Sequence, residues 1–199
     1  MNKFTGEDRI LELLCSKSIT KQKVFRNTKE QFVLLKKVIG DLSNNLHSKM
    51  CKVDESVKIE FKDKNAFEAE LHFGGDVLLF NMHTNVFTFE QEHSIFKTEY
   101  VKKDPSRAYF GIIHIYNFLA DSLRYNRSND QGVLLGRIFV NAENHFFIEG
   151  KRQFSFLFNN VISDVIDAEK WKSIVEAATV FALDYDLTTP DYADVMLVS

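Results

Sequence analysis

Glu149 and Lys151 stand two residues apart, directly after the apolar run Phe146-Phe147-Ile148. A carboxylate and a lysine at that spacing on a strand can serve a divalent metal and the attacking water of a phosphodiester hydrolase. Such chemistry also needs a second carboxylate on the ion. Asp130, nineteen residues upstream, is the nearest candidate. Gly150 separates the pair, and the strand-like pattern resumes at Gln153-Phe-Ser-Phe. Both features describe a hairpin turn, and Asp130 sits in a polar "RSNDQG" stretch where turns favour Asp. The turn is therefore the expected reading, and a Mg-dependent nuclease or phosphodiesterase is the alternative.

A second group is His114, Asn117, Asp121 and Arg124, spaced three, four and three. On a helix these four share one face and form an acid–base or anion-binding set. They are the candidate ligand-binding residues, set against the plainer expectation of a water-facing helix side. The six histidines show no H-x-H, no H-E-x-x-H and no i, i+4 helical pair. His83 and His93, with Glu90 and Glu92, come closest without a standard ligand spacing. Gly74-Gly75 lacks the G-K-[ST] sequel of a phosphate loop. No metal or cofactor is expected.

The elements that must position these residues follow from periodicity. Thr5-Gly-Glu-Asp8 is a capping signal for a short helix to about residue 15, followed by a basic connector over 17–26. Asn27-Thr-Lys-Glu30 resembles a capping box. From there Phe32, Leu35, Ile39, Leu42 and Leu46 recur every three or four residues, which predicts a helix over 28–51. Period two follows in Val57/Ile59/Phe61 and Phe67/Ala69/Leu71/Phe73, then in "DVLLFNMH", "NVFTFEQE" and "SIFKTEYV". Asp104-Pro105 is a helix start, and Tyr109, Ile112/Ile113, Tyr116 and Leu119 hold helical spacing, although "YFGIIHIY" by itself also passes for a strand. Three more strands, "VLLGRIFV", "HFFIEG" and "RQFSFLF", precede a helix capped by Asp167.

The predicted order is α-α-β(4–5)-α-β(3)-α. This is a single α+β domain over 1–199, a largely antiparallel, curved sheet of seven or eight strands with helices on one face. Residues 186–199 form an extended acidic tail, whose Tyr192, Val195, Met196 and Leu197 suit a partner's sheet edge.

Composition narrows the function classes. The chain has 199 residues, net charge −3, two cysteines and 45% hydrophobic residues. Two isolated thiols, Cys15 and Cys51, make neither a disulfide framework nor a zinc site, and buried or partly buried free thiols are expected. No run approaches the roughly 20 apolar residues of a membrane span, and the opening residues do not read as a signal peptide, so a cytoplasmic protein is expected. The first 52 residues carry a positive excess and the last 40 a negative one, while the chain as a whole is not basic. The lysines do not interleave with aromatics, which disfavours nucleic acid. The expectation is a non-enzymatic module that binds a small molecule or a protein, self-association included.

Overall fold

The computed structural model describes residues 5–127, 130–150, 160–185 and 189. Helix α1 (Gly6–Leu13) passes through one π turn at Leu14–Ser18 into α2 (Ile19–Met50). Strands β1 (Ile59–Asn65), β2 (Glu68–Phe73) and β3 (Asp76–Phe87) follow. A 3₁₀ turn (Ser94–Lys97), the short helix α3 (Glu99–Lys103) and a second 3₁₀ turn (Pro105–Ala108) lead to β4 (Phe110–Leu119). Then come α4 (Ala120–Arg124), β5 (Val133–Val140), β6 (Phe146–Gly150) and α5 (Ala168–Leu183).

The fold is α+β, with one antiparallel sheet in the order β1-β2-β3-β4-β5-β6. Among the described residues it has six strands rather than seven or eight. The expected strand "RQFSFLF" and the 186–199 tail lie outside the described residues, apart from the exposed Thr189. "SIFKTEYV" is helical turns, because the His93 and Thr98 side chains accept the backbone N–H groups of Ile95 and Val101 and start a new turn each. "DVLLFNMH" and "NVFTFEQE" are not a hairpin. β3 runs through Thr84-Asn85 to Phe87, with only a register irregularity against β4 between Met82 and Val86.

Helices α2 and α5 cover one face of the sheet. Their residues Phe32, Leu35, Ile39, Trp171, Ile174 and Ala178 join Leu71, Phe80, Ile113, Ile138 and Phe146 in the main apolar cluster. On the opposite face, Ile95, Val101 and Ala108 from the segment before β4 cover Phe110, Ile112, Phe139 and Phe147 in a second cluster.

The largest departure from expectation is β4. Residues 105–125 are not one helix. Asp104 does cap, accepting the Ser106 N–H at 2.9 Å, but it opens a single 3₁₀ turn and the chain then extends. β4 pairs with both β3 and β5 and is buried on both faces, so its apolar residues do not alternate with polar ones. The result mimics helical spacing.

The two N-terminal helices differ as well. Thr5 and Asp8 form the expected capping box of α1. Residues 17–26 are helix rather than connector, and Asn27 starts nothing. It sits inside α2, where its amide donates to the Asn141 carbonyl at 2.6 Å and to Asn144 Oδ1 at 2.9 Å, tying α2 to the β5–β6 turn. Asn144 turns that hairpin with φ 64°, a left-handed conformation that Asn tolerates. Cys51 is half-buried, but Cys15 is exposed, because no residue of α1 or the π turn packs on the body. Along the β1 edge, Lys36 of α2 pairs with Asp63 and also donates to the Asn65 carbonyl.

Candidate functional site

The four residues His114, Asn117, Asp121 and Arg124 do not share a face. His114 and Asn117 lie three apart on β4, so they point to opposite sides of the sheet. His114 faces away from the helices, its ring 6.4 Å from that of His83. Burial, then the nearby His83 and Arg137, lowers its pKa. Asp121 and Arg124 are exposed on the short α4, with the Arg124 guanidinium over the Tyr125 ring.

Glu149 and Asp130 are engaged separately. Glu149 pairs with Arg137 across the β5–β6 ladder. Asp130 accepts the Ser122 hydroxyl at 2.6 Å and lies 3.9 Å from Arg127. Lys151 lies outside the described residues. Among the described residues no group of three or more His, Cys, Asp or Glu side chains is placed to hold a metal ion. His93 caps a turn and stacks on Phe89, away from any such group.

Two polar clusters are internally complete. Glu70, buried on the sheet face away from α2, bonds His72 Nε2 at 2.7 Å and pairs with Lys64 at 3.3 Å. Burial pushes its carboxyl up, but the His72 and Lys64 contacts outweigh that and hold it below its ordinary value. At the other end Tyr100 donates to Glu143 and accepts from the buried Asn141, while Arg107 stacks over the Tyr100 ring and bonds Glu143. Burial, aided by Glu143, pushes the Tyr100 hydroxyl up to about 12. These groups satisfy one another and brace the segment before β4 against the β5–β6 turn.

One polar pair is not satisfied. Asp76 opens β3 and Asn117 lies near the end of β4. The register Leu78↔Asn117 and Asp76↔Leu119 puts both on the helix-facing side at one end of the sheet. They line a cavity of about 270 Å³ with Phe118, Leu119, Gln131, Val133 and Leu135, roofed by Phe181 and Tyr185 at the end of α5. That is close to the lower limit of small-molecule pockets, about 300 Å³. Asn117 Nδ2 reaches Asp76 Oδ1 at a long 3.5 Å. Its Oδ1 is the one buried side-chain polar atom without a hydrogen-bond partner among the described residues. Flipping the amide would set two oxygens against each other. Burial raises the Asp76 carboxyl pKa, and the Asn117 amide only partly offsets this.

The sign of the Asp76 shift makes a prediction. With its folded pKa above the unfolded value of about 3.9, Asp76 holds more protons folded than unfolded between the two values. Stability therefore falls as pH rises through that window, and the loss is complete above the folded pKa. Asp76→Asn should raise the melting temperature at neutral pH and remove this descent from the pH profile of thermal unfolding. An unchanged profile would sink the assignment.

The sequence named Asn117 but missed Asp76. The available signal was its phase, since Asp76 shares the alternation of Leu78, Phe80 and Met82, all core-facing. No protein-family model, no curated protein and no solved structure matches the chain. Among the described residues no helix is long and apolar enough to cross a membrane.

Proposed function

We propose that this protein is a non-enzymatic binding protein, and that the Asp76–Asn117 cavity takes a small ligand with N–H donors on an apolar body, such as a primary amine. The unpartnered Asn117 Oδ1 carries the reading. A buried acceptor left without a donor costs about 1–3 kcal/mol, a cost that a donating ligand removes. A protonated amine answers the desolvated Asp76 carboxylate at the same time, and the Phe118, Phe181 and Tyr185 rings favour a cation beside them. Val133, Leu135 and Leu119 take the apolar part.

Thermal unfolding against a panel of arylalkyl and alkyl amines, with matched alcohols and carboxylates, tests this. Amines should stabilise with the logarithm of their concentration, by about 2.7 kcal/mol at a hundredfold excess over Kd, and carboxylates should not. Asn117→Leu should abolish that response; it removes the orphaned acceptor and also the amide donor to Asp76, two opposing effects that should leave the free protein within about 1 kcal/mol of wild type. Equal responses to amines and carboxylates, or an Asn117→Leu protein that still responds, would overturn the reading.

A further inference from the structure

We propose that the head group taken by the Asp76–Asn117 cavity is a guanidinium, carried by an alkyl- or arylalkylguanidine, in preference to the corresponding amine. It rests on the reading of this cavity as a ligand site and names the group that fills it best.

The unmet polar features of the cavity are acceptors or carry negative charge. Among the described residues, the half-buried Asp76 carboxylate has one hydrogen bond, the long one from Asn117 Nδ2 at 3.5 Å. Asn117 Oδ1 has no partner. Helix α5 ends over the cavity, and its last turn holds no basic residue to answer the partial negative charge of its C-terminal carbonyls. Among the described residues no Lys, Arg or His lines the cavity.

Donor count separates the two cations. An ionised carboxylate offers about four lone-pair sites, and one of them meets Asn117 Nδ2. About three remain and Asn117 Oδ1 adds two, so about five acceptor sites are open to a ligand. A primary ammonium brings about three N–H donors from one point, whereas an alkylguanidinium brings about five along the edges of a plane. Two of these, held parallel, fit the two oxygens of a carboxylate. The acceptors are spread in the same way. Asn117 turns its Nδ2 to Asp76, so its oxygen stands across the amide, beside the carboxylate rather than on it. A fork engaged on Asp76 keeps N–H groups on its other edges for that oxygen. A single ammonium nitrogen must serve both from one position.

Desolvation points the same way. Val133 and the buried Leu135 form part of the wall. A guanidinium is more weakly hydrated than an ammonium and gives up its water to such surroundings at lower cost. Its flat face also lies well on an aromatic ring, and Tyr185, which lines the cavity and is 59% exposed, offers one at the mouth.

Titration calorimetry of the full chain tests this, with phenethylguanidine against phenethylamine and butylguanidine against butylamine, far below denaturing concentrations. Each guanidine should bind at least about tenfold more tightly than its amine, the return on one or two added hydrogen bonds. Methylating the guanidine nitrogens keeps the charge but blocks paired hydrogen bonding, so the advantage should vanish. Asp76→Asn, which keeps the side-chain shape, should weaken the guanidines at least about tenfold. Nα-acetyl-arginine amide presents the same head as a peptide would. Its binding in place of the alkylguanidines upholds the guanidinium and moves its source to an arginine side chain. Amines that match their guanidines, or a methylated guanidine that keeps the advantage, overturn the guanidinium and leave the amine reading intact. Binding by neither class overturns both.

Discussion

Trp171→Ala should lower the unfolding free energy by about 3–5 kcal/mol, the cost of truncating a large aromatic in a close-packed core. Trp171 is fully buried on the sheet-facing side of α5, within the main apolar cluster. It also joins elements far apart in sequence, since its indole N–H donates to Gln31 Oε1 of α2 at 3.1 Å. Gln31 in turn donates to Asn144 Oδ1 at 3.0 Å, in the turn that Asn27 also holds. Truncation removes the apolar contact and leaves Gln31 with an unmet acceptor. Trp171→Phe separates the two effects, retaining most of the packing and costing about 1–2 kcal/mol for the lost hydrogen bond and volume. Trp171 is the only tryptophan, so urea unfolding should be followed by circular dichroism rather than fluorescence. A loss under about 1 kcal/mol for the alanine variant would mean that α5 is not docked as described.

Gly111→Ala should cost about 3 kcal/mol, the upper part of the range for overpacking by one methyl group. A Cβ on Gly111 would lie 2.2 Å from Thr28 Oγ1 and 2.7 Å from both Thr28 Cβ and Cγ2. Rotating Thr28 cannot relieve the clash, because its Cβ is fixed by the α2 backbone. Either the helix or the central strand must move. Placing Thr28→Gly in the same chain removes the obstructing atoms and should recover most of the loss, less about 1 kcal/mol for glycine inside a helix. The double-mutant cycle then shows a favourable coupling of about 1–3 kcal/mol between the two positions. A Gly111→Ala protein within 0.5 kcal/mol of wild type, about the spread of ordinary surface changes, would disprove this close approach of α2 to β4.

These two positions also mark what the sequence conveyed. Trp171 was legible, since Ile174/Val175, Ala178 and Phe181 repeat around it at helical spacing and Asp167 accepts the Lys170 N–H at the expected start. β1 and β2 were legible for a related reason, because Phe61, Leu71 and Phe73 alternate with polar residues, Glu70 among them, that take the other face of the sheet. Gly111 was not, since the need for a missing side chain comes from a residue 83 positions away. β4 was misread because strands lie on both sides of it and apolar cover on both faces, which erases the alternation that identifies a strand. That error carried into the site. Asn117 was singled out as a neighbour of Asp121 and Arg124 on a helix. On a strand its neighbour is Asp76, which only the β3–β4 register brings alongside. Asn27 misled through local chemistry, since an amide that bonds a distant turn looks the same in sequence as one that caps a helix.

The Lys36 clamp on β1 bears on how copies of this chain can and cannot meet. β1 is an outer strand, and such strands invite another chain to extend the sheet through unpaired backbone groups. Here Lys36 occupies the Asn65 carbonyl and pins Asp63, while the register shift between Asp63 and Asn65 distorts the strand's end. Glu60, Lys62 and Lys64 add charge along its length. An incoming strand would have to strip a lysine from its carboxylate and find a straight ladder where none exists. Edge-to-edge growth, the route to fibrils, is thereby obstructed at this side of the sheet.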